Sequence, residues 1–234
     1  MPSAPAAADH LCQLIQNKNL LQMPSRLLVA GCGNGSEALH LYHNLQIPVV
    51  AFDIKEHPSW HSKPPGVWFL RADVGRLPFP DESFDAVFYH HVIEHVPDPE
   101  ASLRELGRVL CNGGWMYIGT PNRRRVVGYL GSPNATWRQK LAWNLVDYKA
   151  RLRGRFRNEL GAHAGFTQAE LQAMLSPYFA RVQWLTADYL RFKYGTKLPA
   201  PFLKLLVSRW GVQFLAPAIY ALCRKGETPA TAEQ

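Results

Sequence analysis

The chain has 234 residues, 47% apolar and 19% charged, with 26 Lys and Arg against 18 Asp and Glu for a net charge of +8. That balance excludes an intrinsically disordered chain, and the length suits one large α/β domain. The four cysteines, Cys12, Cys32, Cys111 and Cys223, lie far apart without a CxxC pair, so they suggest neither a zinc site nor a disulfide framework, and a reducing cytosol fits.

Residues Met1–Ala8 lack the basic and apolar regions of a signal peptide, and the apolar stretch Phe214–Cys223 contains Pro217 and is too short to span a bilayer. The expected location is therefore cytoplasmic. Residues 1–24 read as an N-terminal helical segment, with Leu11, Leu14, Ile15 and Leu21 at helical spacing from Asp9 to Met23 and Pro24 as the stop. Arg26–Ala30 is a short apolar run ending on a glycine cluster, which suits a buried parallel strand. Helical spacing resumes over Ser36–Leu45, and Pro48–Asp53 gives a second strand that closes on an acid. Val67–Asp73 is a third strand, also closing on an acid, and Phe84–His91 a fourth. A helix over Pro99–Leu110 leads through a turn into a fifth strand within Gly113–Pro121. Thr167 with Glu170 forms a capping box for a helix ending at Leu175, and Arg181–Thr186 and Ala218–Cys223 supply strands six and seven.

Strands alternating with helices predict a Rossmann-like, seven-stranded, mostly parallel sheet with helices on both faces. Two segments, 122–164 and 193–216, stand outside that alternation and are expected to form a helical cap beside the ligand cleft. All of this fits a single domain over 1–234, with Gly226–Gln234 as a frayed tail.

The segment LLVAGCGNG puts Gly31, Gly33 and Gly35 between a strand and a helix, where glycine permits a sharp turn and close approach of backbone N–H groups to a ligand. Glycine also makes bland strand-to-helix turns, so this motif alone is weak. Asp53, at the end of strand two, sits where an acid accepts hydrogen bonds from ribose hydroxyls, as in NAD sites. A second acid at the end of strand three, Asp73, can take an adenine amino group, with Val74 and Leu77 packing on the ring, and this turns the reading away from an NAD-dependent dehydrogenase.

In order, AGCGNG, AFD, ADVGRLPFPDESFDAV, HHVIEHVPDP and GRVLCNGGWMYIGTPN span Arg26 to Gly119 and the residues just past it. That series resembles the class I S-adenosylmethionine (SAM)-dependent methyltransferases of type 11, and HVIEHVPDP and GTPNR are similar to phrases of ubiquinone-biosynthesis O-methyltransferases. The resemblance implies that Gly31 meets the amino-acid part of SAM, Asp53 the ribose, Asp73 and Val74 the adenine, and His90 the wall beneath the sulfonium. Cys32, Gly33, Gly35 and Ile54 belong to the same cradle. Because SAM carries an activated methyl group, the protein has mainly to align donor and acceptor and exclude water. The implied reaction is methyl transfer to oxygen, or to nitrogen or carbon, of a small molecule.

Three histidines are candidates for a catalytic base: His163 first, then His91 and His95. His91, Glu94 and His95 also spell the inverted zinc motif HxxEH, but the motif falls at the exit of strand four with no downstream ligand. Ubiquinone-type relatives hold a divalent metal with acids and a histidine here, and His91 departs from that pattern, so no metal is assigned. The alternative is that Glu94 and His95 order a helix start. His10, His40, His43, His57 and His61 are expected away from the cleft.

Between Arg123 and Arg157 ten Lys and Arg face one acid, Asp147. Such a patch concentrates anions. The aromatic residues of the two insertions, among them Trp137, Trp143, Phe202 and Trp210, serve either as the core of the cap or as the lining of a pocket for an anionic or aromatic acceptor. PFLKLLVSRWGVQFL could instead lie on a membrane surface through Lys204 and Arg209, although apolar residues spread around the helix favour burial. An RNA methyltransferase using the basic insertion and a non-catalytic SAM-binding protein are the rival readings. No appended RNA-binding module is visible, so a nucleic-acid partner is not expected.

Overall fold

The computed structural model describes residues 6–17, 22–129, 135–158 and 164–226. Its seven strands are β1 (Leu27–Ala30), β2 (Val49–Asp53), β3 (Val67–Arg71), β4 (Phe84–His90), β5 (Leu110–Pro121), β6 (Arg181–Trp184) and β7 (Ala218–Arg224). They form one sheet in the order β3-β2-β1-β4-β5-β7-β6. All pairs are parallel except those of β7, which runs antiparallel to both β5 and β6. The strand order reverses between β1 and β4, which opens a crevice at the carboxyl ends of these strands.

The strands read as continuous apolar runs because both faces are covered. Leu27 and Val29 of β1 and Phe88 of β4 point into one core, with α1 (Ala6–Gln16) and α2 (Ser36–Leu45). Leu28, Ala30, Val87 and Tyr89 point into the other, with Leu103 and Leu106 of α3 (Pro99–Val109) and Leu171 and Leu175 of α5 (Gln168–Leu175). Each helix start has its own cause. Asp98 accepts from Ala101 N–H at 2.9 Å with Pro99 in the first turn of α3, and Thr167 and Glu170 form the expected capping box of α5.

Several boundaries differ from the sequence expectation. The N-terminal helix stops at Gln16, short of Met23, and Leu21 lies outside the described residues. β3 ends at Arg71 because Asp73 accepts from Gly75 N–H at 2.8 Å and its carbonyl from Arg76 N–H at 3.0 Å, a tight turn incompatible with further pairing. β4 ends at His90, since His91 takes φ of 53° and leaves the ladder. Strand pairing starts at Leu110, not Gly113. Thr186 opens α6 (Thr186–Tyr194) instead of closing β6, its hydroxyl receiving Tyr220 N–H at 3.0 Å.

The described parts of the insertions contain three helices, α4 (Trp137–Leu152), α7 (Ala200–Val207) and α8 (Arg209–Phe214), while 122–129 and 153–158 are largely turns and loop. The burial expected of α7 is not observed, as none of its residues is buried. Among the described residues no helix is long and apolar enough to cross a membrane.

Candidate functional site

The three glycines of the first strand's exit all have positive φ: 69° at Gly31, 51° at Gly33 and 82° at Gly35. A Cβ at Gly31 would stand 2.2 Å from Val92, and one at Gly35 2.6 Å from Phe69, so strand four's exit and β3 press on the turn from two sides. Around Gly33 there is open space, as a backbone awaiting a ligand requires. Asp53 accepts from Gly33 N–H at 2.8 Å and from Lys55 N–H at 3.2 Å. A carboxylate offers about four lone-pair directions, so acceptor capacity remains for ribose hydroxyls. Next to it Ile54 is 58% exposed, a flat apolar surface suited to a stacked ring. Asp73 is exposed at the rim, whereas Val74 and Leu77 are buried in the core beneath it.

Support for this turn comes from a segment that the sequence did not single out. In the 3₁₀ turn Pro58–His61, Trp60 donates its indole N–H to the Gly33 carbonyl at 2.9 Å and stacks on Phe69 with centroids 5.3 Å apart. Ser59 donates to the Asn34 carbonyl at 2.5 Å and pairs with His57 Nδ1 at 2.7 Å. His57, expected outside the cleft, has a structural role: it caps the turn that props up the glycine loop. No motif marks Trp60. Its role depends on a long-range contact.

His90, at the end of β4, pairs through Nδ1 with Glu37 Oε1 at 2.8 Å, while its Nε2 is buried without a hydrogen-bond partner among the described residues. Glu37 lies in the first turn of α2, where the helix dipole favours a carboxylate. An orphaned ring nitrogen beside the glycine turn is a polar atom that a bound ligand can satisfy. The cradle, the free acceptor capacity of Asp53, the bare Ile54 and this nitrogen together fit an adenosyl cofactor.

His91 and Glu94 come together. Glu94, its side chain 1% exposed, accepts from Thr120 Oγ1 at 3.0 Å and pairs with His91 Nδ1 at 3.1 Å. Burial pushes the Glu94 carboxyl up, but the hydrogen bonds it accepts, that of His91 foremost, outweigh this and hold it below the usual range. Although 42% of the His91 side chain is exposed, the protein packed around its ring and the neighbouring His90 hold the imidazole below its ordinary value, so it is neutral near pH 7. His95 lies farther out, 52% exposed, with Nε2 4.0 Å from Glu94. Among the described residues no group of three or more His, Cys, Asp or Glu is placed to hold a metal ion. His163 lies outside the described residues.

Beyond β5 a cavity of about 600 Å³ opens between the two insertions, lined by Asn122, Arg124, Gln168, Trp184, Thr186 and Arg209 among others. None of the glycine-turn residues, Asp53, Asp73 or His90 lines it. Asn122 is held by the carbonyls of Gln213 and Ala216 at 2.9 and 3.0 Å, and it lies three residues past Gly119, the β5 partner of His90. At the rise of an extended chain that is about 10 Å.

A parallel sheet with a glycine turn after β1 and acids after β2 and β3 defines a class, the nucleotide-cofactor-binding α/β proteins. Comparison with known proteins narrows it. Residues 28–118 match the family model described as "Methyltransferase domain". A probable SAM-dependent methyltransferase of Mycobacterium tuberculosis is 39% identical over 99 residues, covering 42% of this chain and 36% of the relative. The 27-O-demethylrifamycin SV methyltransferase of Amycolatopsis mediterranei is 33% identical over 107 residues, covering 42% and 39%. The chain therefore spans less than half the length of these curated relatives. A solved Burkholderia thailandensis 1,6-didemethyltoxoflavin-N1-methyltransferase, with S-adenosylhomocysteine bound, shares the fold over 96% of this chain and 80% of its own at a TM-score of 0.53 and 18% identity. Residues 28–118 thus match a methyltransferase domain of type 11, and the relatives that share this stretch are SAM-dependent methyltransferases.

Proposed function

We propose that the protein transfers a methyl group from SAM to an oxygen of a small molecule bearing an anionic or aromatic group. The observation that carries this reading is the joint arrangement of the open Gly33 backbone, Asp53 and the buried, unpartnered Nε2 of His90. SAM, when bound, supplies a methyl group already activated by its sulfonium. The tasks left to the chain are to hold the adenosyl group, orient the acceptor and move one proton.

Asp53 and the turn at Gly31–Gly35 hold the cofactor, with Ile54 and Asp73 toward its adenine. For a hydroxyl acceptor, His91 is the base: it is neutral near pH 7, its side chain keeps 42% of its surface exposed, and Glu94 fixes its ring and stabilises the imidazolium it would become. Arg124 and Arg209 in the cavity beyond β5 support an acceptor that carries negative charge.

Titration calorimetry with SAM tests the first half of this reading. The protein binds at micromolar concentration, and Asp53→Ala weakens binding about 100-fold, since two charge-assisted hydrogen bonds are lost. Absence of binding, or an unchanged affinity in Asp53→Ala, rejects it. Methyl-labelled SAM with a metabolite extract identifies the acceptor. In Glu94→Gln the rate falls while SAM affinity is kept, and an unaltered rate removes His91 and Glu94 from the reaction.

A further inference from the structure

The helix α4 is built inside out. Its inward face is mainly polar: buried Asp147 accepts from Arg125 Nη2 at 3.2 Å and from Tyr129 Oη at 3.1 Å, Asn144 exchanges hydrogen bonds with both Gly128 N–H at 2.7 Å and Gly128 C=O at 3.2 Å, and Trp143 packs edge-on against Tyr129. Arg151 donates to the Arg125 carbonyl at 3.2 Å and lies over Phe156 at 4.0 Å. The outward face is apolar, with Trp137 70% exposed, Leu141 53%, Leu145 60% and Leu152 91%. At about 100° per residue these four fall within an arc of roughly 80° that also contains the half-exposed Tyr148, and Arg138 and Lys149 lie immediately beside it. A helix that serves only its own domain puts the apolar stripe toward the core.

The neighbouring insertion shares this character. None of the α7 residues is buried, and Phe202, Leu205 and, on α8, Trp210 are each more than half exposed. The two regions are braced on one loop: Tyr148 of α4 donates to the Val126 carbonyl, and Val126 N–H donates to the Phe214 carbonyl at the end of α8 at 2.8 Å.

We propose that this surface, α4 with the exposed apolar side chains of α7 and α8, docks the protein on an anionic lipid bilayer. Charge selects that occupant. The stretch from Arg123 to Arg157 carries ten Lys and Arg, and its single acid, Asp147, is turned inward onto Arg125. The outward charge of α4 and of the turn after it, from Arg138 and Lys149 to the exposed Arg153 and Arg155, is therefore entirely positive. A second copy of the chain docking through the same face would bring the same sign against it. Nucleic acid would match the arginines and leave the leucine stripe in water, whereas an anionic bilayer takes both: headgroups pair with the cations and the interface accepts tryptophan and leucine.

Co-sedimentation of the full chain with vesicles tests this. Binding is expected to vesicles of mixed phosphatidylcholine and phosphatidylglycerol, and to be about tenfold weaker or more on phosphatidylcholine alone. Leu141→Ser with Leu145→Ser weakens binding to the mixed vesicles, as does Arg138→Glu with Lys149→Glu. Only the charge-reversed pair loses its remaining salt dependence. Both pairs alter exposed side chains, and circular dichroism checks that they fold. The proposal is overturned if mixed vesicles are not bound, or if binding ignores lipid charge. It is equally overturned if light scattering shows a dimer that Leu141→Ser with Leu145→Ser disperses, or if RNA is retained where vesicles are not.

Discussion

The half of the sheet from β1 to β4 and the helix α4 bury polar groups for opposite purposes. In the first, apolar residues fill both cores, and a few polar groups at the carboxyl ends of the strands are fixed but left with spare capacity: Asp53 holds two backbone N–H groups, and His90 is tied at one nitrogen only. In α4 the polar groups Asp147 and Asn144 pair with Arg125, Tyr129 and Gly128 across the inward face, and most of the large apolar ones are turned out. A buried polar group with unused valence marks a ligand site, whereas a closed polar network under an apolar exterior marks a surface that meets something else.

This contrast is open to measurement by urea denaturation. The largest effect is expected at the closed network: Asp147→Ala leaves Arg125, its side chain 4% exposed, without its carboxylate and costs about 3 kcal/mol. Gly35→Ala comes next, at about 2 kcal/mol, because φ of 82° is strained for alanine and the new methyl meets Phe69 at 2.6 Å. If this variant keeps full stability, the glycine turn is looser than the contacts with Phe69 require.

A pH effect of similar or smaller size belongs to the sheet half. His10 of α1 is buried against Tyr117, with Nδ1 3.0 Å from the hydroxyl, and burial lowers its pKa to about 4, against a small opposing pull from Asp188. Since the folded state binds this proton less readily than the unfolded state, its contribution is present above pH 6.5 and is lost as pH falls from 6.5 towards 4. Stability should decline by on the order of 2 kcal/mol across that window, and less steeply in His10→Gln. The smallest effect is expected on the outer face of α4, where Leu145→Ser changes stability by less than about 0.5 kcal/mol. A loss in Leu145→Ser as large as in Asp147→Ala would show that the helix is not inside out.

Much of this was legible in the chain. Alternating apolar runs and breakers specify the parallel sheet because a strand covered on both faces must be apolar throughout, as Leu27–Ala30 is. Gly31, Gly33, Gly35, Asp53 and Asp73 could be read in order because each is demanded by its own local backbone or by a strand end. Trp60, Glu37 and Thr120 could not. Each acts by touching a group 26 or more residues away, and nothing nearby announces it. The extent of β3 is not legible for a related reason, as the Asp73 turn competes with the ladder through a side chain that also looks like a site residue.

The sequence by itself determined the order of the strands along the chain, the position of the glycine turn and the family that the turn and its acids announce, since these follow from local periodicity and backbone needs. Only the tertiary structure decided which face of α4 points outward. A helical repeat fixes which residues share a face, but not which face meets the core. That choice fell to Arg125 and Gly128, whose polar groups had to be paired and drew Asp147 and Asn144 inward, leaving Trp137 and the leucines to the outside.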